Sequence, residues 1–275
     1  MTSAKAFAPA KINLTLHVTG QRADGYHLLD SLVMFADIGD QITVHPAAQT
    51  RLSVDGPMAA GVPGDGRNLV VKAAALIGVT ADIRLQKYLP AAAGIGGGSS
   101  DAAATLRALG DLSGASIPAD TLSLGADVPV CVAARCSRMR GIGEQISHVP
   151  GAPSLSVVLV NPGVDVPTAE VFQHLRDKTN LPMSEALPKW QGLVDFIPWL
   201  AAQRNDMQAA ALSLAPAVGE CLAALSALPE CRLARMSGSG ATCFGVFATL
   251  PEAQIAAETL SHTYPDWWVR PCTLT

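Results

Sequence analysis

The sequence predicts an α+β protein of two domains, and three observations carry this prediction. The 275 residues are 49% hydrophobic and 15% charged, which is enough apolar material for one large or two medium-sized cores. Short strand-like runs fill the first part of the chain, and a glycine-rich loop near residue 94 leads straight into a helical pattern. After Gly151 the elements follow the order β-α-β-β-α-β, which is typical of a split βαβ or ferredoxin-like domain.

The first strand is predicted from residue 11 to residue 18, because polar and apolar residues alternate there. Alternation places Lys11, Asn13, Thr15 and His17 on one face of the strand and the apolar residues on the other. An ordinary half-exposed strand has the same pattern. The lysine and asparagine at its start make this strand a candidate part of a site.

A turn follows the first strand and carries two rings. Asp24-Gly25 is a strong turn signal, and just beyond it Tyr26 offers a stacking ring and His27 a hydrogen-bonding ring. A lone histidine is more often structural than functional, so His27 is only a candidate at this point. Further strands of a β-meander are predicted at Ser31–Ala36, Gln41–His45 and Arg51–Val54.

A glycine loop is the strongest functional signal in the chain. Asn68 is predicted to cap a helix ending at Ile77, and Asp82–Tyr88 to form the strand before the loop. Residues 94–101 then read Gly-Ile-Gly-Gly-Gly-Ser-Ser-Asp and open a helix to about residue 112, with Ser99 or Ser100 expected as its N-cap. Glycines that approach a ligand closely, followed by a helix N-terminus, predict an anion site, most often for phosphate.

Two common phosphate loops do not fit residues 94–101. The P-loop requires a lysine within the loop, and the dinucleotide fingerprint requires a third glycine where Ser99 or Asp101 stands. A flexible Gly/Ser linker has a similar composition, but a linker would not connect a strand directly to a helix. The loop is therefore predicted to bind phosphate, with its positive charge supplied from elsewhere in the chain.

A single carboxylate follows the loop helix. A short helix is predicted from Pro118 to Leu124, and Asp127 then stands at the start of an apolar strand that runs to Val132. Aspartate before a strand is commonly part of a turn. Asp127 becomes a functional candidate only if the glycine loop and the Lys11 strand converge on it.

The remaining elements place a domain boundary near residue 152, giving domains 1–152 and 153–275 with a ligand cleft expected between them. Predicted strands lie at Ser154–Val160, Arg232–Met236, Cys243–Ala248 and Trp267–Cys272, with a helical stretch at Thr168–Leu228 and a helix at Pro251–Ser261. A second glycine loop, Ser237–Thr242, joins two of these strands. It is either a flexible hairpin turn or a loop that covers phosphates and positions the substrate.

Composition excludes several partners. A net charge of −4 argues against a nucleic-acid surface, and no apolar run is long enough for a membrane span. Pro9 and Lys11 interrupt the apolar core that a signal peptide would need, so a cytoplasmic protein is expected. The six cysteines contain no C-x-x-C pair and no histidine at metal-ligand spacing, and we expect them to be reduced and mostly buried.

Three separated signatures resemble the GHMP small-molecule kinases: Pro9-Ala-Lys-Ile-Asn-Leu14 with Asp24-Gly-Tyr-His27, then residues 94–103, then Ser237-Gly-Ser-Gly-Ala241. The likeness runs from about residue 8 to residue 247. It implies an N-terminal nucleotide domain similar to ribosomal S5 and a ferredoxin-like C-terminal domain. The PAKINL opening resembles the branch that uses ATP, with Mg²⁺, to phosphorylate a hydroxyl of a cytidine-diphosphate-linked methylerythritol in the non-mevalonate route to isoprenoids.

The resemblance also implies residue roles. Asp127 would take the proton of the substrate hydroxyl, with Lys11 beside it stabilising charge on the transferred phosphoryl group. ATP would be bound by Ala93, Gly94, Ile95, Gly96, Gly97, Gly98, Ser99, Ser100 and Asp101, with Asn68 and Lys87 near its adenine. The substrate would be bound by Asn13, Tyr26, His27, Thr168, Phe172, Gly238 and Ser239. Tyr26 and Phe172 would stack on the cytosine and His27 would read its edge.

The sequence leaves two other readings open. A GHMP relative with a different alcohol substrate would keep the phosphate loop but would have little use for Tyr26, His27 and Phe172. A non-catalytic RNA-binding module built on the S5-like half would belong to another class, and the acidic balance speaks against it. No protein ligand for the metal and no role for Arg135, Arg138 or Arg140 can be assigned.

Overall fold

The computed structural model describes residues 2–275 and confirms the α+β class. The strands are β1 (Ala4–Asn13), β2 (His17–Gln21), β3 (His27–Pro46), β4 (Arg51–Asp55), β5 (Ala81–Gln86), β6 (Ser137–Gly141), β7 (Gln145–His148), β8 (Leu155–Asn161), β9 (Leu233–Met236), β10 (Cys243–Phe247) and β11 (Trp268–Leu274). The helices are α1 (Leu69–Ile77), α2 (Gly97–Ser113), α3 (Val128–Ala133), α4 (Thr168–Gln173), α5 (Leu193–Ala201), α6 (Gln208–Leu214), α7 (Pro216–Ser226) and α8 (Leu250–Thr263).

Contacts between residues group the chain into two compact units. One contains residues 2–11, Ile38–Ala91 and Gly96–Ala134, and the other contains Ile12–Asp37, Ala92–Ile95 and Arg135–Thr275. These units are not continuous in sequence, because β1 and β3 each contribute residues to both. The division into domains 1–152 and 153–275 describes the chain order and stays a prediction.

The first unit is a small sheet with helices against it. Strand β5 pairs parallel with β4, and antiparallel with the second half of β3 from Gln41 to Pro46. Helices α1 and α2 pack on each other, and their apolar faces join the inner face of this sheet. Alternating burial along β5 puts Ile83 and Leu85 in this core.

The second unit has the strand order of a ferredoxin-like sheet. Its strands run β11-β8-β10-β9, and β8 pairs antiparallel with both β10 and β11. Helices α7 and α8 pack against these strands and bury residues such as Val218, Cys221, Ala253 and Leu260. The first half of β3 carries the β6–β7 hairpin beside it. The predicted β-α-β-β-α-β order of this half is thereby confirmed.

Several predicted elements are wrong in type or extent. The two strands predicted at Ser31–Ala36 and Gln41–His45 are one strand, β3, of 20 residues, because Gly39 continues the extended backbone without a turn. The apolar run after Asp127 is helix α3 and not a strand, with Pro129 in its first turn. Short apolar runs do not distinguish a strand from a buried helix, and proline at a helix start is favourable.

Other boundaries also differ from the prediction. The first strand breaks after Asn13, and the residues from Pro118 to Leu124 contain only a 3₁₀ turn at Leu122–Leu124. The stretch Thr168–Leu228 is not one helical region but the four helices α4 to α7. Strands β6 and β7 are additional to the predicted elements, and neither shows the alternating burial that would identify a strand from its sequence.

The N-cap of α2 is Gly96, not Ser99 or Ser100. Gly96 has φ +61, a left-handed backbone conformation in which a residue with a side chain would be strained. Because the helix begins at the next residue, Ser99 and Ser100 lie inside it. The cap of α1 is as predicted, since the Asn68 side chain accepts a hydrogen bond from the backbone N–H of Val70.

Among residues 2–275, no single helix is long and apolar enough to cross a bilayer. The pair α6 and α7 reaches the necessary length and composition only when its two members are combined, and they are bent by 119° at their junction.

Candidate active site

Lys11 and Asp127 form an ion pair in the first unit. The Lys11 ammonium lies 2.9 Å from Asp127 Oδ2, although the two residues are 116 positions apart. Asp127 occupies the N-cap position of α3, yet its side chain makes no capping bond and is free to face Lys11. The Lys11 side chain is 5% exposed and that of Asp127 is 36% exposed. The pair therefore presents an open carboxylate beside a buried ammonium.

The glycine loop packs directly on Lys11. A Cβ at Gly96 would lie 3.2 Å from both Cβ and Cε of Lys11, so the missing side chain lets the lysine stem pass beneath the loop. Helix α2 begins at the next residue, and its first N–H groups lack intrahelical partners. These groups and the positive end of the helix dipole form a site for an anion next to the ion pair. The Lys11 ammonium is a cation close to the loop, which contains no lysine of its own.

Lys87, predicted near the adenine, is buried in a cluster of charges. Its ammonium contacts Asp40 Oδ2 and lies 2.8 Å from Asp101 Oδ2, and all three side chains are at most 4% exposed. Burial disfavours the ammonium, but the charges of Asp101 and Asp40 outweigh this and raise the pKa of Lys87. Burial, helped by the charge of Asp40, raises the pKa of Asp101 to about 7 against the pull of Lys87.

The other predicted adenine residue, Asn68, uses both ends of its amide for local structure. Its Oδ1 accepts from Val70 N at 2.9 Å, and its Nδ2 donates to the Pro63 carbonyl at 2.8 Å. The roles of Asn68 and Lys87 toward adenine stay predictions.

Ser100 Oγ and Asp101 Oδ1 are buried without a hydrogen-bond partner among residues 2–275.

In the second unit, the two glycine segments lie against each other. The Ser237 hydroxyl donates to the Gly94 carbonyl at 3.0 Å, and the Thr242 N–H donates to the Ala93 carbonyl at 3.1 Å. A Cβ at Gly94, which has φ +71, would lie only 2.5 Å from the Ser237 carbonyl oxygen. Ser237 and Thr242 are fully buried, so this loop is not an exposed hairpin turn.

Asn13 is held at the same place by its backbone. Its N–H donates to Ser237 Oγ at 3.0 Å, and its side-chain Nδ2 donates to Ser31 Oγ at 2.8 Å. The side-chain Oδ1 is buried with no partner in the described chain. This oxygen is an acceptor available to a ligand.

The three predicted base-binding rings take different positions. The rings of His27 and Phe172 are stacked, with centroids 4.3 Å apart and planes 11° apart, while Tyr26 is 60% exposed. Burial, and to a lesser extent the charge of Lys178, lower the pKa of His27 and favour its neutral form. The hydroxyls of Thr168 and Ser239, two further residues predicted to bind the substrate, share a hydrogen bond of 2.7 Å.

The structure adds residues for which the sequence held little signal. Ser237 lies in the second glycine loop, but only its position shows that it joins Asn13 to Gly94. Asp40 ends a Gly-Asp pair within a long strand and has no motif around it. Arg138, to which no role was assigned, pairs with Asp30 through two bonds of 2.7 Å in the buried interior.

Comparisons with known proteins identify the family of the chain. Two family models match, "GHMP kinases N terminal domain" over residues 68–138 and "GHMP kinases C terminal" over residues 183–266. A 4-diphosphocytidyl-2-C-methyl-D-erythritol kinase of Dinoroseobacter shibae is 59% identical over 98% of this chain and 94% of its own length. A protein of the same name from Cereibacter sphaeroides is 54% identical over 98% of this chain and 99% of its own length.

Solved structures give the same picture. A crystal structure of 4-(cytidine 5'-diphospho)-2C-methyl-D-erythritol kinase has a TM-score of 0.80 and 32% identity, covering 98% of both chains. Homoserine kinase from Cytophaga hutchinsonii has a TM-score of 0.69 at 16% identity, covering 100% of this chain and 95% of its own, which shows a shared fold alone. The RNA-binding reading finds no support among these relatives.

Proposed function

The chain belongs to the 4-diphosphocytidyl-2-C-methyl-D-erythritol kinases of the GHMP family, and on that premise we propose that it transfers the γ-phosphoryl group of ATP to a hydroxyl of this cytidine-linked substrate. The acceptor is the 2-hydroxyl, and the product belongs to the non-mevalonate route to isoprenoid precursors. The observation that carries the proposal is the Lys11–Asp127 pair beside the start of α2.

The mechanism follows from charge and position. Asp127 Oδ accepts the proton of the substrate hydroxyl as the oxygen attacks phosphorus, because its carboxylate is the open member of the pair. The Lys11 ammonium stabilises the negative charge on the attacking oxygen and on the transferred group. The N–H groups from Gly96 to Ser99 hold the phosphates in line, so the residues supply position and electrostatics.

We propose that Mg²⁺ enters the site as a companion of ATP. No group of three or more His, Cys, Asp or Glu side chains among residues 2–275 could form a resident metal site. Mg²⁺ commonly retains waters and binds through substrate phosphates, so it would be held by way of the phosphates that Gly96–Ser99 bind. When bound, it neutralises charge on the β- and γ-phosphate oxygens.

Recognition of the substrate is assigned to the second unit. Asn13 Oδ1 is a buried acceptor for a hydroxyl or amine donor of the ligand. Neutral His27 can pair with the edge of the cytosine, and Phe172 and Tyr26 can cover its faces. Thr168, Gly238 and Ser239 contribute hydroxyl and backbone groups near the substrate. The proposed partner is a small molecule.

We also propose that the enzyme works in the cytoplasm. All six cysteines are free thiols, and five of them are buried. Reduced cysteines without disulfides are typical of a reducing compartment.

The test is a coupled assay of ADP release with the cytidine-linked methylerythritol compared with simple sugar alcohols. Activity confined to the cytidine-linked substrate supports the proposal. Comparable activity with sugar alcohols would favour a GHMP kinase for another alcohol. RNA binding that weakens with salt, without ADP release, would favour the non-catalytic reading.

A further inference from the structure

A buried charge cluster connects the residues just before and just after the glycine loop. We name the ammonium of Lys87 and the carboxylates of Asp40 and Asp101 the Lys87 cluster. Lys87 follows β5, Asp40 belongs to β3, and Asp101 lies in α2, one turn after the loop. The ammonium contacts both carboxylates, and all three side chains are shielded from solvent.

The segment before the loop is fixed by the same cluster. Asp40 Oδ1 accepts the backbone N–H groups of Tyr88 at 2.5 Å and Leu89 at 2.9 Å. The Lys87 backbone is held by its own N–H, which donates to the Asp55 carbonyl at 2.7 Å. One ammonium therefore ties the chain that enters the loop to the helix that leaves it.

The cluster also lies directly under the proposed phosphate site. A Cβ at Gly97, the first residue of α2, would lie 3.6 Å from Lys87 Nζ. The N–H groups of this first turn are the ones available to a phosphate. Charge in the cluster is therefore felt at the phosphate position with little intervening solvent.

The cluster has one carboxylate too many for a single ammonium. The Asp40 carboxylate accepts hydrogen bonds from the Lys87 ammonium and from two backbone N–H groups, whereas Asp101 Oδ1 has no partner in the described chain. Burial raises the pKa of Asp101 to about 7, with Lys87 and Asp40 as the charged groups facing it. From α3, the Cys131 thiol also interacts electrostatically with Asp101, and burial raises the pKa of this thiol far above neutrality. Asp101 is thus the group that carries or releases a proton.

We propose that Lys87 and Asp40 are positioning residues that hold the two ends of the glycine loop, and that the proton on Asp101 sets the affinity of this loop for nucleotide phosphates. Protonated Asp101 leaves the cluster neutral. Ionised Asp101 leaves a negative charge beneath the phosphates and weakens their binding. This inference rests on the proposed function, since it requires nucleotide at the loop.

The test is calorimetric titration of the protein with ADP and Mg²⁺ between pH 6 and pH 8.5. Asp101→Asn keeps the size of the side chain but cannot ionise. We expect the ratio of wild-type Kd to variant Kd to rise with pH, toward about tenfold between pH 6 and pH 8. Titration of the nucleotide itself cancels in this ratio. Asp55→Asn, which alters an exposed carboxylate paired with Arg84 on the same unit, is the matched control and should give a flat ratio.

The positioning role is tested with Lys87→Met. Because this change strands two buried carboxylates, the double variant Lys87→Met/Asp101→Asn is measured beside it. We expect the double variant to bind ADP at least tenfold more weakly than wild type at every pH, with no pH-dependent ratio to Asp101→Asn. Wild-type affinity in the double variant overturns the positioning role, and a pH-independent ratio for Asp101→Asn overturns the role of the proton. A wild-type protein that binds no nucleotide would instead overturn the proposed function itself.

Discussion

Ser237 donates a hydrogen bond of 3.0 Å to the carbonyl of Gly94, and the same hydroxyl accepts the N–H of Asn13 at 3.0 Å. One side chain thus joins the proposed substrate strand to the first glycine segment. Residues separated by 143 and 224 positions meet at this hydroxyl.

Ser237→Ala should weaken binding of both substrates. The change leaves the Gly94 carbonyl and the Asn13 N–H without a partner, at a cost of about 1–3 kcal/mol. We expect KM for ATP and for the cytidine-linked substrate to rise by roughly tenfold in steady-state assays. Ser213→Ala serves as the control, because it removes a hydroxyl that donates to the Ala210 carbonyl within its own helix turn. Equal KM values for wild type and Ser237→Ala would contradict the prediction.

Gly94→Ala should disrupt the loop by collision. Its Cβ would meet the carbonyl oxygens of Ser237 at 2.5 Å and Gly240 at 2.6 Å, and neither is the end of a flexible side chain. Gly61→Ala separates strain from collision, because Gly61 has a similar φ of +76 with open space around it. The control should lose only the roughly 1–2 kcal/mol of left-handed backbone strain. We expect Gly94→Ala to lose more in thermal unfolding and to lose nucleotide binding, and similar losses in both variants would refute this.

Asp127→Asn should stop turnover while sparing ATP binding. The amide keeps a polar contact with Lys11 but cannot accept the substrate proton, so kcat should fall by roughly 10²–10⁴-fold. Calorimetry should give a Kd for ATP within about threefold of wild type, since the N–H groups of α2 are unchanged. Asp120→Asn, an exposed aspartate in the same segment, should retain full turnover. Near-normal kcat in Asp127→Asn would rule out the base assignment.

Phe172→Leu should raise KM for the cytidine-linked substrate with little change in kcat. Stacking of an aromatic ring on a base contributes about 1–3 kcal/mol, which corresponds to a rise in KM of roughly fivefold to a hundredfold. KM for ATP should stay constant and report that the loop is intact. Phe7→Leu changes a half-exposed phenylalanine of the other unit and should leave both KM values unchanged. A parallel rise in both KM values for Phe172→Leu would indicate general damage rather than lost stacking.

The stability of the protein should depend on pH through Asp101. Its folded pKa, about 7, lies above its ordinary value of 3.8, so between these values the folded state binds a proton that the unfolded state lacks. This contribution to the free energy of unfolding is complete below the lower value and is lost as pH rises toward 7. Urea denaturation should show wild type losing stability relative to Asp101→Asn from pH 5 to pH 7.5, on the order of 1 kcal/mol per pH unit. Parallel pH profiles for the two proteins would disprove the shift.

The two helix caps differ in how well the sequence predicts them. Asn68 as a helix cap follows from local chemistry, and the structure agrees to the residue. The cap of α2 could not be predicted in the same way, because Gly96 competes with two serines that are better capping residues. Gly96 is selected by a tertiary constraint, because a side chain at this position would crowd the Lys11 side chain.

The segment after Asp127 shows the opposite error. Its six apolar residues suit a strand or a buried helix equally, and only packing of α3 against α2 selects the helix. The choice matters for the site, since it places Asp127 at a helix start with its carboxylate free for Lys11. The sequence could not predict the positions of the rings either, because the stacking of His27 on Phe172 depends on two elements that are far apart in the chain.

The sequence by itself determined the class of the fold, the position of the glycine loop before a helix, and the family, because each depends on residue types at short, regular spacing. The pairing of Lys11 with Asp127 was implied by the family resemblance, whereas the tertiary structure alone decided that Ser237 acts with Gly94 and Lys87 with two carboxylates. The physical reason is that a charge or a hydroxyl has no local periodicity. Its partner is chosen by burial, which removes water and leaves the paired arrangement as the one of lowest free energy.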